Sequence, residues 1–198
     1  MRLKRVFDFL SAAFGLVLLL PLFLPIALLI KLDSRGPVFY RGVRIGLRGR
    51  PFRIFKFRTM RPDAERVGST ATAHGDPRMT RVGHWLRPAK LDELPQLLNV
   101  LRGEMSIVGP RPEVEEHTSA YTREEQIVLS VRPGITDLAS IRFYNLNALL
   151  GSEDANRVFI EQYRAEKNRL RIAYVRQQSF LGDLAIILRT FGRLLVRR

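Results

Sequence analysis

The sequence predicts an α+β fold, mostly helical, in which one compact domain is carried beside an N-terminal re-entrant membrane helix. Three observations predict it. Phe9 to Ile30 runs for 22 residues without a charge. Two short aromatic and basic segments, 37–47 and 51–57, flank the turn Arg48-Gly49-Arg50 and predict a short β-hairpin. Helical spacing dominates the remainder, which ends in the amphipathic stretch Phe180–Arg198. The expected divisions are a membrane helix at 1–33, a domain at 34–179 and an interfacial helix at 180–198.

Composition narrows the partners. A chain of 198 residues suffices for one cored domain. The absence of cysteine excludes disulfides, thiolate metal sites and a cysteine nucleophile. His74, His84 and His117 are too scattered for a metal-ligand motif. Lys and Arg number 33 against 19 Asp and Glu, a formal net charge of +14. That balance implies an anionic partner: nucleic acid, an acidic membrane face or a phosphorylated substrate.

The apolar run would measure ~33 Å as a straight helix, enough to cross a bilayer core. It exceeds a signal-peptide core, and no small-residue cleavage site follows it. Hydropathy alone therefore gives a spanning anchor. Two features argue for a helix that enters and leaves by one leaflet. Pro21 and Pro25 lie inside the run, and each strains a helix by ~3 kcal/mol. Basic residues also flank both ends, Arg2, Lys4 and Arg5 before it and Lys31, Arg35, Arg41 and Arg44 after it. A spanning helix would carry its positive flank on the cytoplasmic side alone. The break is expected at Pro21, with the freed backbone groups satisfied inside the protein.

Asp33 to Pro37 is a turn cluster. In the second strand Phe52, Ile54, Phe55 and Phe57 alternate imperfectly with Arg53, Lys56 and Arg58. Such interleaving suits single-stranded nucleic acid, phosphate or lipid head groups. Residues 61–77 form a polar loop, and a helix follows from Thr80 to Pro88.

Lys90 to Pro112, KLDELPQLLNVLRGEMSIVGPRP, is the stretch around which the chain is organised. Leu94, Leu97, Leu98 and Leu101 have the spacing of a buried helix face. Asp92 and Glu93 precede it as adjacent carboxylates. They could begin a helix, Asp92 as its cap and Glu93 in the first turn, with Pro95 near N1. They could equally be delivered to a phosphate. Arg111, held between Pro110 and Pro112, suits bidentate phosphate binding.

Thr122 to Val131 is predicted helical, with Thr122 and Glu125 matching a capping box. Arg132 to Thr136 is a turn, 137–147 a mixed stretch, and Ser152 to Tyr174 a charged helix. In the last segment Leu184, Ile187, Leu188, Phe191, Leu194 and Leu195 form one face, with Arg189, Arg193, Arg197 and Arg198 elsewhere. That pattern serves a helix lying in an interface, or a core-packing helix with a solvated basic side.

Together these pieces resemble the bacterial sugar transferase family, the small monotopic phosphoglycosyl transferases, over nearly the whole chain. The resemblance rests on Lys4-Arg5-Val6-Phe7-Asp8, Gly36-Pro37-Val38-Phe39, Phe55-Lys56-Phe57-Arg58-Thr59-Met60 and Asp76-Pro77-Arg78. It continues in Leu91-Asp92-Glu93-Leu94-Pro95-Gln96-Leu97, Met105 to Pro112, and Val131-Arg132-Pro133-Gly134-Ile135-Thr136. Order and spacing make the set specific. The resemblance implies transfer of a phosphosugar from a nucleotide diphosphate sugar, expected to be a UDP-sugar, to polyprenyl (undecaprenyl) phosphate. It places this at the cytoplasmic face of the bacterial inner membrane, as the first membrane step of an exopolysaccharide or other glycoconjugate pathway. It also implies Asp92 as nucleophile, Glu93 as its partner, Mg²⁺ as cofactor and a helix break at Pro21.

Two departures matter. The family commonly has serine before the helix-breaking proline, and this chain has Leu20. After Thr136 many members continue Gly-Trp-Ala-Gln, and this chain continues Asp137-Leu-Ala-Ser. Sugar identity is therefore not transferred.

The residue chemistry agrees with that mechanism. Both substrates are anions, and a carboxylate nucleophile divides their reaction into two steps. Each displacement depends on charge neutralisation more than on proton transfer. Mg²⁺ is expected on Glu93 and Asp92, where a cation also keeps Asp92 ionised. Arg111 is the expected phosphate clamp, with Lys56, Arg58 and Arg87 as further phosphate contacts. Arg142 and Tyr144 are expected near nucleotide or sugar. Anionic membrane lipids are expected partners and nucleic acid is not. A membrane-tethered nucleic-acid-binding protein or a scaffold is the competing class, and it leaves the acid pair and Arg111 segments without a purpose.

Overall fold

Residues 2–64, 76–144 and 155–195 are described by the computed structural model. The long apolar run forms α1 (Arg2–Asp33), ~48 Å at the helical rise. One face of it packs on the rest of the chain and the opposite apolar face is exposed along its length. At the near end Lys4 donates to Asp183 (2.6 Å), Arg5 to the Val100 carbonyl (2.6 Å), and Asp8 accepts from Ser106 Oγ (2.8 Å). Ala12 packs there among Phe52, Ile54, Val100 and Met105. At the far end Ile26 and Ile30 pack with Phe57 and Leu86, and Asp33 accepts the Val82 amide (2.9 Å). Between them Phe14, Val17, Leu18, Leu20 and Leu24 are exposed. The expected interruption at Pro21 is not there: the helix continues through Pro21 and Pro25. A proline forfeits one backbone bond and kinks the axis, and a long apolar run on both sides lets the helix resume.

The predicted hairpin is present but split. β2 (Val43–Ile45) and β3 (Pro51–Arg53) pair antiparallel. A 3₁₀ turn at Leu47–Gly49 joins them, with Arg48 and Gly49 both at positive φ. β1 (Phe39–Tyr40) pairs with β4 (Lys56–Phe57). Between the halves Ile54 and Phe55 are buried in succession, which two-fold alternation does not allow, so the ladder breaks there. Asn99 bridges the gap, accepting the Phe55 amide (2.8 Å) and donating to the Arg53 carbonyl (2.9 Å).

Asn99 belongs to α3 (Gln96–Leu101), after α2 (Arg81–Leu86), whose start is capped by Thr80 as the sequence indicates. The leucine stripe is a correction. Gln96, Asn99 and Val100 are the buried residues of α3, while Leu94, Leu97, Leu98 and Leu101 are half-buried. Asn99 is drawn inward by the hairpin's orphan groups, and Leu97 and Leu101 turn towards the cluster around Ala12 of α1. The capping role for Asp92 also fails. Asp92 lies inside a 3₁₀ turn, Leu91–Glu93, and neither that turn nor α3 takes a side-chain cap.

β5 (Ser106–Val108) and β6 (Gly134–Thr136) pair in parallel. Their approach needs glycine, since a Cβ on Gly134 would fall 2.1 Å from the Gly109 nitrogen. Between them lie α4 (Glu115–Ser119) and a 3₁₀ segment, Glu125–Ser130, in place of the predicted α-helix. The capping box is real: Thr122 N donates to Glu125 Oε2 (2.8 Å) and Glu125 N to Thr122 Oγ1 (3.2 Å). α5 (Leu138–Arg142) is capped by Asp137 through the Ser140 amide (2.6 Å).

The charged helix is described from Ala155, as α6 (Ala155–Val158), a π-helical turn Phe159–Tyr163, and α7 (Arg164–Gln177). α8 (Phe180–Leu195) combines the two roles offered by its sequence. Asp183 and Ile186 face inward, while Leu181, Leu188 and Phe191 are exposed. The polar loop at 65–75, the residues 145–147, the helix start at 152–154 and Arg197 and Arg198 lie outside the described residues. Helix dominates, the strands are short, and the whole is one domain with α1 against it.

Candidate active site

The 3₁₀ turn Leu91–Glu93 presents two successive carboxylates, both buried: Asp92 is 5% exposed and Glu93 9%. Lys90 enters the turn at φ 57°, a left-handed conformation that costs a non-glycine residue ~1 kcal/mol or more. It points the chain so that the acid pair meets β4 and the Arg111 loop.

The two carboxylates have different surroundings. Glu93 takes the fork of Arg111, Nη1 to Oε2 at 3.0 Å and Nη2 to Oε1, and also the Lys56 ammonium at 2.9 Å. Arg111 is itself fixed, because its backbone N–H donates to Asp137 Oδ2 (3.1 Å). Among the described residues the Asp92 carboxylate takes no hydrogen bond, and Lys56, Arg87 and Lys90 act on it through space.

Charge states follow from this asymmetry. Burial, and next the charge of Glu93, pushes the Asp92 carboxyl up to about 6 against the pull of Lys56, Arg87 and Lys90. For Glu93 burial acts upward too, but Arg111 and Lys56 outweigh it and hold the carboxyl well below the usual range. Glu93 in turn raises Arg111. Burial lowers Lys56, Arg87 and Lys90. One carboxylate is thus locked as an anion while its neighbour titrates near neutrality, the separation that divides roles between paired acids.

The pair opens on a cavity of about 870 Å³, within the range of small-molecule sites. Cations line its polar part, and Phe7 and Phe14 of α1 with Ile187 and Phe191 of α8 line an apolar part. Such a cavity can hold phosphates beside a hydrocarbon chain.

Lys56, Arg87, Asp92, Glu93, Arg111 and Tyr144 are brought to this cavity. Among the described residues Arg87 hydrogen-bonds only to sulfur, Met79 at 3.8 Å and Met60 at 3.9 Å, so its charge remains available. The Tyr144 ring lies 5.2 Å from the Lys90 ammonium and 5.9 Å from the Arg193 guanidinium. Arg58 is not brought there. It is buried under the end of α1 and donates to the carbonyls of Arg35 (2.6 Å) and Ser34 (2.7 Å). Helix C-terminal carbonyls lack internal partners, and Arg58 supplies them. Arg142 is mostly exposed, 3.7 Å from Glu166. Pro21 sits in mid-α1.

Lys90 and Lys167 were not anticipated as cavity residues. Lys90 had a signal, a cation directly before the acid pair. Lys167 had none, since α7 reaches the cavity through tertiary packing alone.

The sequence model described as bacterial sugar transferase matches residues 1–197. The chain is 43% identical over 195 residues to the UDP-glucose:undecaprenyl-phosphate glucose-1-phosphate transferase of Caulobacter vibrioides, spanning 97% of this chain and 69% of that protein. It is 39% identical over 210 residues to the exopolysaccharide production protein ExoY of Sinorhizobium fredii, spanning 98% and 86%. Against the UDP-N-acetylgalactosamine-undecaprenyl-phosphate N-acetylgalactosaminephosphotransferase of Aeromonas hydrophila it is 37% identical over 196 residues, spanning 98% and 44%.

Proposed function

The chain belongs to the bacterial sugar transferase family, and on that premise we propose that it moves a phosphosugar from a UDP-sugar to undecaprenyl phosphate. The products are undecaprenyl-diphosphate-sugar and UMP, and the pathway is exopolysaccharide or other glycoconjugate assembly. The observation that carries the reading is the unequal treatment of the acid pair, Glu93 locked by Arg111 and Lys56 while Asp92 stays unbonded beside a cation-lined cavity.

Asp92 Oδ attacks the phosphorus bonded to the sugar. The P–O bond to the bridging oxygen breaks, and its electron pair leaves with UMP. An oxygen of undecaprenyl phosphate then attacks the same phosphorus, and the bond to Asp92 breaks to restore the carboxylate. No net proton is required. Glu93 orients Arg111 and Lys56, whose charges with those of Arg87 and Lys90 stabilise the phosphoryl group in flight.

Mg²⁺ fits this donor set. Among the described residues no three His, Asp or Glu side chains gather, but Mg²⁺ commonly takes one or two carboxylates with water and substrate phosphate oxygens. Asp92 and Glu93 would hold it, Glu93 by giving up part of its contact with Lys56 or Arg111. When bound, it supplies neutralisation of the diphosphate charge.

The enzyme sits on the cytoplasmic face of the bacterial inner membrane with both ends of α1 on that side. The docking of both ends of α1 on one domain, beside an exposed apolar face, supports a re-entrant helix over a spanning one. The exposed Leu181, Leu188 and Phe191 of α8 support a helix resting in the interface with anionic lipids. Single cysteines at positions 3 and 34 should both resist an impermeant reagent in intact cells. Labelling at position 3 would sink the re-entrant reading.

For the activity, the protein with Mg²⁺ is offered a panel of UDP-sugars. With undecaprenyl phosphate present, UMP should appear. Without acceptor, the intact mass should rise by one phosphosugar. A panel that yields neither product would overturn the assignment.

A further inference from the structure

Lys167, on α7, lines the same cavity as the acid pair. Its electrostatic neighbours are Arg171, Glu113, Arg111 and Asp137, whereas those of Asp92 are Glu93, Lys56, Arg87 and Lys90. Arg111 is the neighbour the two share, since it acts on Lys167 and feels the charge of Asp92. It is 9% exposed, and among the described residues it makes no hydrogen bond or ion pair. Its ammonium rests 4.7 Å from the centre of the Phe159 ring, on which His117 stacks at 5.4 Å.

The acceptors around it are already engaged. Glu113 takes Arg171 on Oε1 (2.7 Å) and the Tyr121 hydroxyl on Oε2 (3.1 Å). Asp137 takes the backbone N–H groups of Arg111 (3.1 Å) and Ser140 (2.6 Å). His117 Nε2 is also buried without a partner. This end of the cavity is rich in donors and short of acceptors. A largely buried ammonium without an acceptor is unfavourable, and contact with an aromatic face offsets only part of that. A ligand that brings negative oxygen would complete it.

We propose that Lys167, backed by Phe159 and His117, forms a second phosphate subsite that holds the phosphate departing with the nucleoside. The inference rests on the two-step reading above. The substrate has two phosphates, and the one bonded to sugar must lie at Asp92. The other then lies across the bridging oxygen, elsewhere in the cavity that Lys167 also lines. When the P–O bond to the bridging oxygen breaks, that phosphate gains the electron pair and becomes a terminal dianion. Arg111 and Lys56 are already compensated by Glu93, and Lys167 has no such direct partner. An ammonium, a compact charge with three donors, suits a phosphate that arrives as a diester and leaves as a monoester.

The same chemistry could serve the phosphate of the lipid carrier, and the half-reactions separate the two. Lys167→Met is compared with wild type using a competent UDP-sugar. Adduct formation should slow at least tenfold, and so should discharge of the isolated adduct by UMP. Discharge by undecaprenyl phosphate should stay within twofold, because UMP is absent from that step. Lys167→Arg should recover most of the UMP-dependent rate. Parallel loss in the carrier half-reaction would overturn the inference, as would unchanged UMP discharge. Lys167→Gln takes the place of Lys167→Met if the latter does not fold. If wild type forms no adduct, the two-step reading fails while Lys167 is still judged by calorimetry. UMP should bind the Asp92→Asn protein at least tenfold more tightly than Asp92→Asn/Lys167→Met, and equal affinities would remove Lys167 from the site.

Discussion

Two buried carboxylate–arginine pairs lie near one another in this molecule, and they are built for different ends. Glu113 and Arg171 are deeply buried, with Arg171 1% exposed, and Tyr121 and Asn168 hydrogen-bond to them. Glu93 and Arg111 are held as firmly on a wall of the same cavity, but beside a second carboxylate that takes no hydrogen bond among the described residues. Burial shifts both glutamates upward and arginine pulls both back, leaving Glu113 at about 2 and Glu93 well below the usual range. The difference lies in the neighbour. Beside Glu113 sits a phenol, whose proton stays on. Beside Glu93 sits Asp92, whose charge is resisted. An ion pair becomes chemical machinery when it leaves an adjacent group in an unsettled state at a place a substrate can reach.

The comparison breaks most sharply at Asp92. Asp92→Asn should lower turnover by ~10⁴-fold or more, as loss of a covalent nucleophile does, and abolish the adduct by mass. Near-normal turnover would return Asp92 to a structural role. The Glu113–Arg171 pair should respond in stability. Arg171→Met leaves Glu113 buried without its cation, and unfolding in urea should show a loss of ~3–5 kcal/mol. A midpoint unmoved by that change would show that the pair contributes little to the fold.

Acid separates the two sites by window. Asp92 is raised to about 6, so adduct formation should fall roughly tenfold per pH unit below that value as the nucleophile is protonated. The same shift makes ionised Asp92 unfavourable to the fold, a cost that declines as pH falls from about 6 towards 3.8. Glu113 is depressed from 4.5 to about 2. Its contribution to stability is full above pH 4.5 and declines only towards pH 2. Activity should therefore vanish while circular dichroism still reports a folded protein. Coincident loss of both would contradict the assignment.

Smaller effects sharpen the contrast. Arg111→Lys keeps the charge and loses the fork, so kcat/KM should fall ~10-fold, or ~1.4 kcal/mol. Arg58→Lys should lower Tm and leave kcat/KM within about twofold, because Arg58 holds the end of α1. A tenfold kinetic loss for Arg58→Lys would place it in the catalytic machinery after all.

How far these features were legible depends on the range of the signal. The helix start at Thr80, the Thr122 and Glu125 capping box and the Arg48-Gly49 turn come from neighbours in sequence, and each is where the pattern puts it. Lys56 and Arg58 look equivalent in sequence, two apart on one strand. They separate because β4 stops at Phe57, so Arg58 leaves the ladder and meets the carbonyls of α1. The leucine stripe predicts a buried face that falls instead on Gln96, Asn99 and Val100, with only Leu97 and Leu101 packed on the cluster of α1.

By itself the sequence determined the apolar run, the hairpin, the Thr122 and Glu125 capping box, the family and the candidates Asp92, Glu93 and Arg111, because each resides in composition or short-range order. Tertiary structure alone decided which carboxylate is locked and which is left unbonded. That distinction depends on Lys56 from β4 and Arg111 from the loop after β5 converging on one side chain across gaps of 37 and 18 residues. Lys167 joins the cavity for the same reason. Burial and through-space charge act over distances that chain order does not encode, so the state of a titrating group is set only once the chain has folded around it.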